Sequence, residues 1–262
     1  MSIQYGAQMY TLREHCQTPS DIAKSCKKVK AMGYDGIQAS AAGFNDIDAG
    51  ELRRILDDNG LVCGATHKSM DLLADADAAA AYHEQLGCTL TAIGGFGFGG
   101  ESRASWGEFT ASFSKAAAAC AAKGLRVGYH NHSHEWSPFE IEEHPESISP
   151  KDTPMEMLAE GLEPPAWFEL DVYWVAHGGG DPAAWIDRLA GRVYALHYKD
   201  MTITPTREPK MCEVGAGNLN WPRIRAAAAS AGVEWVFVER DSGDLDPFDS
   251  LQKSIENIRA WG

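Results

Sequence analysis

Eight short runs of apolar and β-prone residues recur along the chain, each followed by a stretch with helical periodicity, and this alternation constrains the fold more than any other feature. The runs are IQYGAQMY (3 to 10), YDGIQAS (34 to 40), LVCGATH (61 to 67), CTLTAIG (88 to 94), LRVGYHNH (125 to 132), AWFELDV (166 to 172), VYALHYK (193 to 199) and EWVFVE (234 to 239). Between them lie amphipathic segments such as PSDIAKSCKKVKAMG, DAGELRRILDDNG, GEFTASFSKAAAACAAKG, DPAAWIDRLAG and NWPRIRAAAASAG, several opening on a capping Ser, Asp or Asn and closing at Gly. Eight βα units in about 250 residues are what a (β/α)8 TIM barrel requires. A doubly wound sheet would have fewer strands and a Gly-rich first turn. No GxGxxG or Walker-type glycine pattern opens a helix here, and GGFGFGG (94 to 100) reads as a flexible loop after the fourth strand. The long irregular stretch from roughly 133 to 165 carries HPESISPKDTP, and a long loop at that end of a barrel is usually functional. The expectation is a single α/β barrel domain over residues 1 to 262.

Charge narrows the partners. A protein that grips nucleic acid neutralises phosphates with Lys and Arg, whereas this chain has 23 basic against 37 acidic residues and a net charge of −14. Nucleic acid and anionic membrane are therefore not expected as partners, while an acidic site that holds a cation is compatible with the balance. No apolar run reaches the roughly 20 residues needed to span a bilayer, so a cytoplasmic location is expected. Six scattered cysteines without a CxxC pair read as buried thiols in a reducing compartment.

In a barrel of this kind the chemistry sits where strands end. The polar residues at the strand ends are Tyr10, Gln38, His67, His130 with His132, Glu169 with Asp171, His197 with Lys199, and Glu239. Side chains two apart in a strand point the same way, so the last four strands aim imidazoles and carboxylates at one mouth. Converging carboxylates repel one another and are costly to desolvate, a conflict that a divalent cation resolves. The bland alternative pairs Asp171 and Glu239 with Lys199 or Arg240 and leaves the histidines to satisfy backbone groups. That alternative is preferred for His134, His144 and His177.

The segments GAQMYTLRE, GYHNHSHEW, FELDVYWVAHGGGDP, GRVYALHYKDM, EVGAGNLNWPRI and VFVERD resemble, in order, the first, fifth, sixth and seventh strands, the following loop and helix, and the eighth strand of xylose isomerase-like TIM barrels. These belong to the sugar phosphate isomerase/epimerase group, which includes inosose and dehydroshikimate dehydratases and, more distantly, endonuclease IV. The resemblance implies a divalent metal held at the ends of strands five to eight, with Asp171, His197 and Glu239 as three ligands. Where many epimerases of the group carry a strand-five Glu, this chain has His130, and a carboxylate follows only at Glu135. Either can complete the shell with Mn²⁺, Mg²⁺, Co²⁺ or Zn²⁺, His130 being favoured by position and Glu135 retained as a ligand or substrate contact.

The implied reaction is sugar isomerisation or epimerisation by proton abstraction next to a carbonyl through a metal-bound enediolate. His132, placed like the second residue of the Glu-x-His of the group's dehydratases, is a candidate base. A dehydratase or lyase eliminating from a keto-sugar, keto-glycoside or inosose at the same site is the alternative, and a non-catalytic sugar-binding subunit is an alternative of another class. Glu239 and Lys199 are further catalytic candidates. Tyr10, His67, Trp174 and Glu213 are expected substrate contacts. Aromatic residues near the mouth suit the apolar face of a sugar or polyol, and the scarcity of clustered Arg and Lys favours an unphosphorylated one. Homo-oligomers are common in the group, and one is compatible with this chain.

Overall fold

The computed structural model describes residues 2–139 and 152–262. Eight parallel strands form a closed barrel: β1 (Gln4–Gln8), β2 (Gly36–Ala39), β3 (Val62–His67), β4 (Leu90–Ile93), β5 (Arg126–His130), β6 (Trp167–Asp171), β7 (Val193–Tyr198) and β10 (Trp235–Val238). Each pairs with its neighbour in sequence, and β10 closes the ring between β7 and β1. Every predicted run contains its strand, and the runs overshoot at the mouth, where Tyr10, His132, Lys199 and Glu239 lie just beyond the last paired residue.

The intervening helices begin where short polar side chains cap them. Thr18, Asp48, Ser102, Asp181 and Asn220 each accept a backbone N–H in the first turn of the helices Pro19–Met32, Ala49–Asp58, Arg103–Ala121, Pro182–Arg188 and Trp221–Ala231. The third of these starts a turn earlier than its periodicity suggests, because the Ser102 cap lies outside the apolar stripe of Trp106, Phe109 and Phe113. Two elements differ from expectation. Asp200–Ile203 (β8) and Pro209–Cys212 (β9) pair antiparallel as a hairpin at the barrel mouth, a structure too short and too exposed to show an alternating pattern. The stretch read as irregular contains the helix Pro154–Gly161; most of HPESISPKDTP, with His144, lies outside the described residues.

The barrel interior is filled in layers. Its floor is aromatic: Trp167, Trp235 and Phe237 pack with Ala65, Leu90, Ala92 and Ala195, and Trp235 stacks on Phe237 with ring centroids 5.5 Å apart. Gly6, Gly36, Gly64 and Gly128 supply the space for these rings from neighbouring strands. A Cβ at Gly64 would stand 2.7 Å from the Trp235 ring. Gly64→Ala is therefore expected to destabilise the protein by about 1–3 kcal/mol through overpacking. Urea unfolding measures this, and an unchanged midpoint would mean that the floor yields freely.

Among the described residues no helix is long and apolar enough to cross a membrane. All six cysteines are free thiols; five are buried and Cys212 is partly so.

Candidate metal centre and pocket

Above the aromatic floor, β5, β6, β7 and the end of β10 bring His130, Asp171, His197 and Glu239 together, each offering one donor atom within 4.8 Å of the others. His130 Nε2 lies 3.5 Å and His197 Nδ1 3.7 Å from Asp171 Oδ2, and His197 Nδ1 is 2.8 Å from Glu239 Oε2. All four residues are buried. His130 Nε2 has no hydrogen-bond partner, and the close polar neighbours of Asp171 Oδ2, His197 Nδ1 and Glu239 Oε2 are one another and Lys199 Nζ. Donor atoms of two imidazoles and two carboxylates converging on one point are a set that fits a divalent cation.

Local structure prepares this set. Asp171 ends β6 and also caps the helix Val172–His177: Oδ1 accepts from the backbone N–H groups of Tyr173 at 2.9 Å and Trp174 at 3.1 Å. Its own N–H donates to Asn131 Oδ1 at 2.9 Å. One carboxylate oxygen is thus committed to the fold, and Oδ2 is left for the centre. Burial pushes the His130 imidazole down to about 4, with His197 adding to the effect, so it is neutral and able to ligate at pH 7. For Glu239, burial opposes ionisation, but Lys199 and His197 outweigh it and hold the carboxyl below its ordinary range.

A second group, His67, Glu169 and His197, also lies close enough to hold an ion. Its chemistry is different, since Glu169 accepts from Gln38 Nε2 at 2.6 Å and meets His67 Nε2 at 2.5 Å, while His197 Nε2 bonds Gln38 Oε1 at 2.6 Å. These atoms are already satisfied by one another.

Lys199 is buried beside the centre, 3.1 Å from Asp171 Oδ2, 2.9 Å from Glu239 Oε2, and bonded to both oxygens of Asp241. Burial disfavours its charge, but the three carboxylates prevail and raise its pKa. The pairing of Lys199 with Asp171 and Glu239 considered from the sequence is present; the pairing of Arg240 with them is not, because Arg240 bonds Glu213 at 2.6 Å.

The centre opens into a cavity of about 360 Å³, whose lining includes Tyr10, Ser40, His67, Phe98, His130, His132, Lys199, Glu239 and Asp241. Three of the expected substrate contacts stand at or near this wall. Tyr10 is at the rim and 40% exposed, His67 lines the cavity, and the Trp174 ring lies 5.5 Å from His132 and from Lys199 Nζ. The fourth, Glu213, lies outside the lining, its carboxylate taken up by Arg240 and by Ser250 Oγ at 3.0 Å. Glu135 does not join the four converging donors. It is fully buried, accepts from Tyr129 Oη at 2.7 Å and from the His132 backbone at 2.9 Å, and burial pushes it up to about 8. It braces the His132 loop instead.

His132 stands over the cavity between His130 and Phe98, with ring centroids 4.8 and 5.1 Å away. Burial, with His130 and the Lys199 ammonium close by, pushes its pKa well down, so the ring is neutral. His134 bonds Phe96 O at 2.7 Å and secures the glycine loop that carries Phe98. Ser40, Phe98 and Asp241 were missed in the sequence as lining residues. The signal for two of them was alternation, since Ser40 follows Gln38 and Asp241 follows Glu239 by two positions on the same face.

Among curated proteins, none matches this sequence. The chain is similar in structure to a sugar phosphate isomerase/epimerase from Parabacteroides distasonis ATCC 8503, at 23% identity and a TM-score of 0.78 over 99% of this chain and 95% of that one. It is also similar to the probable 3-DHS dehydratase AsbF from Bacillus anthracis, at 14% identity and a TM-score of 0.71 over 98% and 99% of the two chains. A xylose isomerase-like TIM barrel protein from Mycobacterium smegmatis, in complex with magnesium, shares 12% identity with a TM-score of 0.72 over 98% and 95%. The family model described as xylose isomerase-like TIM barrel matches residues 26–261, and with the closed eight-stranded ring and its strand-end cluster this places the chain in that family.

Proposed function

We propose that the protein is a divalent-metal-dependent isomerase or epimerase of an unphosphorylated sugar or polyol derivative, with His130, Asp171, His197 and Glu239 as the residues that hold the ion. The observation that carries this reading is the convergence of one donor atom from each of the four, all within 4.8 Å of one another. A divalent ion bound there would supply Lewis acidity toward a carbonyl and its neighbouring hydroxyl, acidifying the C–H of the hydroxyl-bearing carbon. The neutral imidazole of His132, at the cavity wall, takes that proton as general base. Phe98 lies edge-on to His132 and, with Trp174, limits the approach of water to the base. Lys199, held by Asp171, Glu239 and Asp241, presents a fixed positive charge to a substrate oxygen. Return of the proton to a different carbon isomerises the sugar, and return to the opposite face of the same carbon epimerises it.

The cavity favours a substrate without phosphate. Lys199 is the sole cation in its described lining, and three carboxylates already face it. Elimination from the same site is the second reading, favoured by one observation: strand five brings His130 rather than a carboxylate to the centre, so among the described residues the four converging donors include one glutamate, Glu239, and no facing pair. The family resemblance to a dehydratase agrees with either outcome.

Deuterium incorporation tests the proposal. The metal-loaded protein is incubated in D₂O with a panel of ketoses, keto-glycosides and inososes and followed by NMR. Label in a recovered or isomeric sugar supports isomerase or epimerase chemistry, an unsaturated product supports the lyase, and no label from any substrate with metal bound supports a non-catalytic sugar-binding protein. The donor set also predicts ion preference. Two imidazoles and two carboxylates suit Zn²⁺ and Co²⁺ better than Mg²⁺, so calorimetric titration is expected to rank Zn²⁺ and Co²⁺ above Mn²⁺ and Mg²⁺ weakest. Tightest binding of Mg²⁺ would contradict this donor set.

A further inference from the structure

Beneath the four proposed ligands lies a buried polar layer that the reaction above does not use. Glu169 is fully buried on β6, two residues before Asp171. Its Oε1 is 2.6 Å from Gln38 Nε2, and its Oε2 is 2.5 Å from His67 Nε2. Gln38 Oε1 in turn lies 2.6 Å from His197 Nε2, and His67 Nδ1 lies 3.2 Å from Ser40 Oγ. Four strands, β2, β3, β6 and β7, meet in this layer.

Donor and acceptor rules order the network without ambiguity. An ionised carboxylate only accepts hydrogen bonds. Gln38 must therefore turn its NH₂ to Glu169, which leaves its carbonyl oxygen facing His197. A carbonyl oxygen also only accepts, so His197 carries its proton on Nε2. With Nε2 committed to that bond, Nδ1 is the ring nitrogen turned toward the centre, 2.8 Å from Glu239 Oε2, and it is the one on which a cation would replace a proton. The same carboxylate places the His67 proton on Nε2, and the His67 Nδ1 lone pair accepts from the Ser40 hydroxyl.

We propose that Gln38 and Glu169 are positioning residues that lock the tautomers of His197 and His67, so that His197 offers Nδ1 to the centre and binds a divalent cation more tightly than a free-rotating imidazole would. The cation half rests on the metalloenzyme reading above; the tautomer half does not. Partners of this kind around ligating histidines typically change metal affinity by about 10–100-fold.

The test uses the full chain labelled with ¹⁵N-histidine. In the metal-free protein, long-range ¹H–¹⁵N correlation at neutral pH is expected to show a hydrogen-bonded proton on His197 Nε2. Gln38→Leu removes the acceptor and is expected to free that proton to exchange with solvent, with Co²⁺ affinity by calorimetry weaker by about 10–100-fold. Ser40→Ala leaves the Gln38–Glu169 pair intact and is expected to leave both readouts unchanged, which a merely structural loss would not reproduce. Glu169→Leu, which leaves the Gln38 NH₂ without its acceptor, supplies an independent variant should Gln38→Leu fail to fold, with the same expected direction. A wild-type His197 with no proton on Nε2, or folded variants that keep both the wild-type Nε2 proton signal and the Co²⁺ affinity, would overturn the lock. A wild-type protein with the Nε2–H tautomer but no Co²⁺ binding would overturn the cation half, and with it the metalloenzyme reading, while supporting the tautomer half.

Discussion

Asp171→Asn is expected to lower divalent-metal affinity by more than about 100-fold, beyond the range seen for outer partners of metal ligands, while leaving the fold nearly as stable. The two oxygens of Asp171 do different work. Oδ1 accepts the backbone N–H groups of Tyr173 and Trp174, and an amide oxygen in that position accepts them as well. Oδ2 faces His130 Nε2 and His197 Nδ1, and there the substitution installs an NH₂ group. That group faces the ring nitrogens and the Lys199 ammonium in place of a carboxylate oxygen, and so removes both a donor atom and a negative charge from the centre. Asp171→Ala removes the cap too and is expected to cost about 1 kcal/mol more in stability. Calorimetric titration with Co²⁺ and urea unfolding separate the two effects. An Asp171→Asn variant that binds Co²⁺ within about tenfold of the parent would remove Asp171 from the ligand set.

The second large effect is expected at His132. His132→Gln preserves a polar side chain at the cavity wall but removes the basic ring, and the proton-abstraction step is expected to slow by about 10²–10⁴-fold. Metal affinity is expected to be unchanged, because His132 is not among the four converging donors. The deuterium wash-in rate on whichever substrate the parent labels is the direct measure. A variant that binds metal normally and exchanges deuterium at the parental rate would show that another group is the base.

These residues differ in how visible they are in the sequence. The eight strands are legible because strands buried on both faces are almost continuously apolar, so a histidine or carboxylate at a strand end stands out. His130, Asp171, His197 and Glu239 can be placed this way, since each lies on or next to a strand whose period of two fixes its direction. Glu135 escapes this reading. It lies five residues past His130, in a 3-10 turn at His134–Trp136, where strand alternation no longer governs direction, and it points to Tyr129 rather than to the centre. Glu213 lies beyond the reach of strand alternation for the same reason, as part of a loop organised by Asp200, whose carboxylate accepts from the backbones of Gly215, Gly217 and Leu219 and from Trp221 Nε1. The role of Glu169 is hidden for a different one: its position is readable, but its partners Gln38 and His67 come from strands more than 100 residues earlier in the chain and no local pattern connects them.

The aromatic floor of Trp167, Trp235 and Phe237 gives the barrel a kinetic character of its own. With those rings packed against the glycines of neighbouring strands, the chamber is closed below, and among the described residues it opens at the rim of Tyr10 and Phe98. On the proposed reading, product would leave by the way substrate came, so the two would exclude each other and the departing product would inhibit the forward reaction competitively.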